Sequence, residues 1–264
     1  MSNRWDPAQY GRFADHRSRP ALELLGRVDH PNPTYVVDLG CGTGDVTRVL
    51  KERWTDARVI GIDHSPDMLG TAAEGGGEVV WQHADIGEWV PDHPIDVLYS
   101  NAALHWLADH HDLFPRLISY LSPGGVLAVQ MPLSWWERSH ALMRAILESG
   151  GPDGRPLGPQ SLRTRLNHNR VKEPDEYYVL LSPLAGALDI WTTRYFQVLN
   201  GPEPVFEWVK GTGLRPVLES LTEHDLDRFL DRYRKALLEA YPQRVDGATV
   251  YPFPRLFIVA KTAA

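Results

Sequence analysis

The feature that most constrains this fold is a glycine-rich turn between a β-branched apolar run and an amphipathic segment. The run covers residues 34–39, glycines stand at 40, 42 and 44, and residues 45–54 carry apolar side chains at helical spacing. These glycines allow a tight strand-to-helix turn and let a ligand approach the backbone closely. The pattern therefore predicts a βα unit with a ligand site at its turn.

The same alternation continues to the middle of the chain. Four more apolar runs alternate with helical patterns, at 58–63, 78–83, 95–100 and 126–131. Such repeats imply a parallel sheet with helices on both faces. Two later β-rich runs, 190–199 and 256–260, complete the prediction of an α/β fold with a doubly wound, mostly parallel seven-stranded sheet.

Beyond this core the pattern changes. It predicts a helix over 134–149, a loop or lid over the Gly- and Pro-rich residues 150–175, and several amphipathic helices within 203–241. Because these helices precede the last strand, they form a helical cap inserted into the sheet domain. We predict one integrated domain, with an N-terminal helix and the ligand-binding βα core in 1–132. Residues 133–264 hold the substrate-side lid, the cap and the last strands.

Composition removes several classes of protein. Lys+Arg 27 against Asp+Glu 34 gives a formal net charge of −7, the opposite of what phosphate-neutralising nucleic-acid binders carry. A single cysteine, Cys41, excludes an intramolecular disulfide framework and a Cys-rich zinc site. No stretch approaches the ~18 consecutive apolar residues that span a bilayer. We therefore expect a cytoplasmic protein without nucleic-acid or membrane partners, and the sequence leaves its oligomeric state open.

Acidic residues around the glycine turn favour a cationic ligand. A dinucleotide fingerprint has Gly or Ala at position 45, for close helix packing beside the pyrophosphate, whereas this chain has Asp45. Asp38 precedes the glycines, and two carboxylates flanking the turn would repel a diphosphate. S-adenosyl-L-methionine carries a sulfonium and an ammonium group, so we predict it as the cofactor, with S-adenosyl-L-homocysteine as product. We expect no metal, since His110 and His111 lack a convincing partner set and are interpreted as a solvated helix start.

Polar residues at the ends of the next strands extend this predicted site. Asp63 comes about 20 residues after the turn, where a carboxylate accepts the ribose hydroxyls of many adenosine ligands. Asp85 follows the third strand and can reach the adenine amino group. Asn101 follows the fourth strand and can serve the ammonium. The predicted cofactor-binding residues are Asp38, Gly40, Gly42, Gly44, Asp63, Asp85 and Asn101.

Segments spread along the chain also carry a resemblance to a known family. They are residues 17–20, 38–42, 61–63, 126–132, 212–216 and 254–260. In these segments the chain resembles class I S-adenosylmethionine-dependent methyltransferases, specifically the trans-aconitate 2-methyltransferase family. The resemblance implies a Rossmann-like fold and monomethyl esterification of trans-aconitate. His105 departs from the family, which commonly has Gln there.

A small polycarboxylate requires local cations in a chain of net negative charge. Arginine forks match carboxylates bidentately, and a carboxylate is already ionised near neutral pH. The chemistry then rests on alignment and charge placement, and no catalytic residue is predicted. Tyr10 is a candidate to close over the methyl group. The predicted substrate-binding residues are Tyr10, Arg17, Arg19, Arg194, Arg215 and Arg255.

Two alternatives stay open. The first is a methyltransferase that acts on another small acid or on a hydroxyl, with His105 as general base. The second is a non-catalytic S-adenosylmethionine-binding regulatory module. Turnover separates them, because a binding module holds the cofactor yet releases no S-adenosyl-L-homocysteine with any acid.

Overall fold

The computed structural model of this chain describes residues 18–211 and 213–264. The strands are β1 Tyr35–Leu39, β2 Arg58–Asp63, β3 Val79–His83, β4 Ile95–Asn101, β5 Leu121–Pro132, β6 Ala187–Leu199 and β7 Thr249–Lys261. The helices in these ranges are α1 Ser18–Gly26, α2 Asp45–Arg53, α3 Pro66–Glu74, α4 His110–Ser119, α5 Arg138–Ser149, α6 Gln160–Asn167, α7 Pro174–Leu181, α8 Pro204–Lys210, α9 Arg215–Ser220 and α10 Glu223–Ala240. None of them is both long and apolar enough to cross a membrane.

The seven strands form one sheet in the order β3-β2-β1-β4-β5-β7-β6. β1 to β5 pair in parallel, and β7 runs antiparallel to β5. The predicted α/β fold with a mostly parallel seven-stranded sheet is confirmed. The strand order reverses between β1 and β4. Sheets of this kind bind ligands outside the carboxyl ends of the strands at such a reversal.

Contacts divide the chain into two compact units. The sheet unit contains the described residues up to Pro132 together with Arg170–Thr193 and Arg255–Ala264. The helical unit contains Leu133–Asn169 and the described part of Arg194–Pro254. One boundary between these units falls after Pro132. The description of both parts as one integrated domain stays a prediction.

The helical unit has an apolar core of its own. Phe229, Tyr233 and Leu237 on α10 are buried, as the spacing predicts. Polar groups within this core are paired: the Tyr233 hydroxyl donates to the Ser139 carbonyl at 3.0 Å. The Tyr241 hydroxyl accepts from the Ser139 backbone N–H at the same distance. The Tyr241 bond satisfies one amide at the start of α5, where the first amides have no partner within the helix.

The segment 150–175 contains more structure than expected. Helix α6 lies within it, and α7 begins at Pro174. Leu157 and Leu162 are buried in the core of the helical unit, and this burial holds α6 in place. The prediction of a loop was therefore wrong for residues 160–167, because tertiary burial outweighed a composition rich in glycine and proline.

Candidate functional site

The turn between β1 and α2 has the backbone that its glycines predict. Gly40, Gly42 and Gly44 have φ angles of 76°, 55° and 77°, which side chains rarely tolerate. The Gly40 N–H donates to the Ile62 carbonyl at 2.8 Å and ties the turn to the end of β2. A Cβ atom at Gly40 would lie 2.1 Å from the Cβ of Ala103, whereas one at Gly42 would meet no atom of residues 18–211 or 213–264 within 4 Å. Among the described residues, Gly42 therefore leaves room beside its backbone.

Trp81 on β3 is a second support of this turn, and sequence reasoning missed it. Cβ atoms at Gly44 and Gly61 would lie 2.3 Å and 2.5 Å from its indole ring. Arg48 on α2 places its guanidinium 6.0 Å from the ring centre and donates to the Thr43 carbonyl at 2.9 Å. The sequence feature that could have indicated this contact is Gly61 within β2, because a glycine inside a strand often marks the close approach of another group.

Asp38 is a buried carboxylate at the end of β1. Only 2% of it is exposed, and its Oδ2 accepts a hydrogen bond from the Thr47 hydroxyl at 2.6 Å. Burial raises the pKa of Asp38 to about 7. The hydrogen bond from Thr47 lowers this pKa, and the negative charge of Asp63 raises it further. A carboxylate so poorly compensated is a favourable place for a cationic group.

Asp63 joins the glycine turn to the helix that follows β2. Its Oδ2 accepts from the Gly42 N–H, and its Oδ1 accepts from the Ser65 N–H, both at 2.9 Å. Ser65 in turn caps α3, where Pro66 occupies the first turn as predicted. Since each carboxylate oxygen has further lone-pair capacity, Asp63 can still accept hydrogen bonds from a ligand.

Asn101 and Asp85 lie at the ends of β4 and β3. The Asn101 Oδ1 is buried and accepts no hydrogen bond from the described residues. Ala102 follows with φ 54°, a strained value for a residue with a side chain. Asp85 is exposed and accepts from the Gly87 N–H at 2.7 Å. An orphaned buried acceptor beside strained backbone is typical of a ligand site.

The predicted cofactor residues therefore lie at one edge of the sheet. The residues at the carboxyl ends of β1, β2, β3 and β4 and in the turn after β1 are Asp38, Gly40, Gly42, Gly44, Asp63, Asp85 and Asn101. Their part in binding a cofactor stays a prediction.

Three of the predicted substrate arginines lie in surface ion pairs. Arg19 pairs with Glu23 at 2.7 Å. Arg215 pairs with Glu219, one turn away on α9, and 75% of its side chain is exposed. Arg194, in the helical unit, is 57% exposed and bonds at 2.8 Å to Glu137, whose side chain is only 11% exposed. Pairs exposed on both sides, such as those of Arg19 and Arg215, contribute little to stability and are common on protein surfaces.

Arg255 has different surroundings. It is 6% exposed, the only arginine classed as buried among residues 18–211 and 213–264. Its Nη1 donates to the Gln130 Oε1 at 3.4 Å, within the sheet unit. Arg255 pairs in register with Pro132, so it lies at the carboxyl end of β5. The remaining two candidates, Tyr10 and Arg17, lie outside the described residues.

His105 is the central residue of the short 3₁₀ turn Leu104–Trp106 after β4, and His110 is the first residue of α4. The His105 ring centre lies 4.6 Å from that of Trp106. His110 is buried, its Nδ1 bonds to the Tyr177 hydroxyl and its Nε2 to the Leu104 carbonyl. Burial lowers the pKa of His110. The interpretation of His110 as a solvated helix start was wrong, because packing against α7 removes it from water.

Comparisons with known proteins agree with this geometry. A family model described as a methyltransferase domain matches residues 10–176. The chain is 45% identical over 261 residues to a trans-aconitate 2-methyltransferase of Pseudomonas aeruginosa PAO1, covering 98% of this chain and 94% of the relative. It is 45% identical over 260 residues to one of Methylobacterium radiotolerans, covering 98% and 99%. The corresponding figures for one of Escherichia coli O1:K1 are 44% over 262 residues, 97% and 98%.

Solved structures share the fold at low sequence identity. The YcgJ protein of Bacillus subtilis has a TM-score of 0.60 at 13% identity and covers 93% of this chain and 99% of its own. A putative methyltransferase of Bacillus halodurans has a TM-score of 0.57 at 12% identity, covering 93% and 100%. Phosphoethanolamine N-methyltransferase 2 of Haemonchus contortus, in complex with S-adenosyl-L-methionine, has 0.53 at 14%, covering 99% and 58%. These likenesses support the architecture alone.

Proposed function

The chain belongs to the trans-aconitate 2-methyltransferase family, and from this premise we propose that it methylates a carboxylate of trans-aconitate. S-adenosyl-L-methionine is the proposed donor, and the products are a monomethyl ester and S-adenosyl-L-homocysteine. The observation that carries the proposal is the buried Asp38 carboxylate beside the open backbone of Gly42. Together they suit a cationic ligand that must approach the turn closely.

The residues at the sheet edge fit this donor. Asp38 and the orphaned Asn101 Oδ1 offer acceptors to its ammonium group. Asp63 offers a carboxylate to the ribose hydroxyls, and Asp85 can serve the adenine amino group. When bound, the cofactor supplies a methyl group on a positively charged sulfur.

The protein's own contribution is alignment and charge placement. A carboxylate acceptor is ionised near pH 7, because free carboxyl groups titrate at about 4. The acid therefore needs to be held in line with the methyl group, and no base has to remove a proton first. Arg255, buried at the carboxyl end of β5, is the candidate that best combines position with a desolvated charge.

A transfer assay from methyl-labelled cofactor tests this function. We expect base-labile label in trans-aconitate when a panel of di- and tricarboxylic acids is compared. Base-stable label in a hydroxyl compound would favour the first alternative. Tight cofactor binding without release of S-adenosyl-L-homocysteine would favour the regulatory module.

Asp38 should make cofactor affinity depend on pH. Because the pKa of Asp38 is raised in the unliganded fold, the folded state binds a proton at this carboxyl group more tightly than the unfolded chain does. The stability that this proton adds is present in full below pH 3.8 and is lost as the pH rises through about 7. A bound ammonium favours the ionised form, so binding should release up to one proton at about pH 6. Affinity should therefore increase with pH up to about 7 and level off above it.

Calorimetry in two buffers of different ionisation enthalpy measures this proton release. Asp38→Asn should bind weakly and release none, whereas the control Asp56→Asn, at an exposed position between α2 and β2, should behave as wild type. Equal proton release from Asp38→Asn would show that another group titrates.

His105 should not act as a base on an acid substrate. We expect His105→Gln to retain kcat within roughly threefold, since a lost general base costs about 10²–10⁴-fold. At saturating donor and acid, kcat should be flat from about pH 6.5 to 8.5, without a limb near the ~6.5 of an ordinary histidine. A hundredfold loss, with a histidine-like limb that the variant abolishes, would favour the hydroxyl methyltransferase.

A further inference from the structure

Gln130 on β5 has one half of its amide paired and the other half unpaired. The residue is 1% exposed, and its Oε1 accepts from Arg255 Nη1 at 3.4 Å. Its Nε2 is buried and has no hydrogen-bond partner among the described residues. Buried amide donors are nearly always satisfied, so an orphaned one points to a missing acceptor.

The register of the sheet places this donor in a row of polar groups. Gln130 is the Cα partner of Asn101 on β4 and of Phe257 on β7. Arg255 is two residues from Phe257, so its side chain lies on the same face of the sheet. Asn101, Gln130 and Arg255 therefore follow one another across the carboxyl ends of β4 and β5.

The unpaired side-chain atoms in this row change from a hydrogen-bond acceptor to a hydrogen-bond donor. Asn101 offers an unpaired acceptor at Oδ1, whereas Gln130 offers an unpaired donor at Nε2, and the two are not bonded to each other. An acceptor suits a cation, and a donor suits an anion. The Gln130 end of the row, beside the Arg255 guanidinium, is therefore unsuited to the ammonium of the cofactor and suited to a carboxylate.

We propose that Gln130 is a specificity-determining residue that binds a carboxylate of the acid substrate through Nε2, while Oε1 positions the Arg255 guanidinium. The inference rests on the proposed function and identifies the Gln130 amide as a group that recognises the acid substrate. The guanidinium supplies charge, and the amide supplies a directed hydrogen bond that a compound with fewer carboxylates cannot use.

Two substitutions separate this role from a structural one. Gln130→Glu keeps the shape and the acceptor for Arg255 but replaces the Nε2 donor with an oxygen that repels a carboxylate. Gln130→Met keeps the volume and removes both functions. We expect KM for trans-aconitate to rise about 10-fold or more in Gln130→Met and further in Gln130→Glu. Affinity for S-adenosyl-L-homocysteine, measured by calorimetry, should stay within about threefold.

A structural role predicts the opposite order. Glu at 130 would bond more strongly to Arg255, so KM for the acid would stay near that of wild type in Gln130→Glu. Gln82→Glu, at an exposed position on β3, makes the same chemical change and should leave KM unaltered. The ratio of kcat/KM for trans-aconitate to that for the dicarboxylate itaconate should fall in both Gln130 variants, and an unchanged ratio would overturn the proposal.

A wild-type measurement covers the case in which these variants do not fold. A crystal structure with S-adenosyl-L-homocysteine and trans-aconitate should place a carboxylate oxygen within hydrogen-bond distance of Gln130 Nε2. A carboxylate bound elsewhere would refute the inference and leave the proposed function intact. If wild-type enzyme esterifies no acid at all, the proposed function falls and this inference falls with it.

Discussion

Gly42→Ala is expected to weaken binding of S-adenosyl-L-methionine by about 10- to 100-fold while the protein stays folded. The added Cβ meets no atom of the described part of the chain within 4 Å, so it projects into the space where we expect the cofactor to approach. Its φ of 55° costs a side chain about 1–2 kcal/mol of stability. Calorimetric titration with S-adenosyl-L-homocysteine and thermal unfolding measure the two effects separately.

Gly40→Ala should have its main effect on the stability of the protein, unlike Gly42→Ala, whose main effect should be on cofactor binding. Its Cβ would lie 2.1 Å from that of Ala103, so overpacking adds to backbone strain and the expected loss is about 2–5 kcal/mol of unfolding free energy. Gly70→Ala, at an uncrowded position in α3, is the control and should gain roughly 0.4–1 kcal/mol. Unchanged cofactor affinity in Gly42→Ala would place the cofactor away from the turn.

Arg255→Lys is expected to raise KM for trans-aconitate by roughly 10- to 150-fold, the range for hydrogen bonds to a charged group. Lysine keeps the positive charge and loses the planar fork that matches a carboxylate. Because the predicted cofactor residues lie at or just after the ends of β1 to β4, we expect affinity for S-adenosyl-L-homocysteine to stay near that of wild type. Steady-state kinetics with trans-aconitate as the varied substrate provide the measurement.

Surface arginines supply the matched controls. Arg19→Lys and Arg215→Lys should leave KM within about twofold, since both side chains are exposed and paired one helical turn away. If Arg194→Lys or Arg17→Lys raises KM instead, the carboxylates are bound by another part of the chain. If neither these variants nor Arg255→Lys raises KM for trans-aconitate, the proposal of an arginine-lined polycarboxylate pocket fails.

Local patterns were sufficient to predict the glycine turn and the strands around it. The turn residues need positive φ angles, which few other residue types tolerate, and β-branched runs such as 34–39 favour strands over helices. Asp63 and Asn101 could be placed because the carboxyl ends of parallel strands share one edge. Covalent order and the sheet topology alone therefore specify where the predicted cofactor residues lie.

Burial and pairing could not be predicted in the same way. The local sequence does not distinguish Arg215 from Arg255. In the structure, Arg215 forms an ion pair with Glu219 on the surface, whereas Arg255 is buried against Gln130. His110 stands beside a second histidine at a helix start, and its contact with Tyr177, 67 residues away in the chain, helps to make it a core residue. Both properties depend on segments far away in the chain, which local spacing does not reveal.

The fit of Trp81 against Gly44 and Gly61 has a consequence for how this sheet can evolve. An indole ring fills the volume that two side chains would otherwise occupy, so the three positions cannot vary independently. Alanine at position 61 becomes tolerable only after position 81 has lost its ring, and the loss of the ring alone leaves a cavity. Homologous sequences should therefore show positions 61 and 81 changing together, whereas the φ of 77° keeps glycine at 44 in either case. A random library should recover a substitution at 61 only beside a smaller residue at 81.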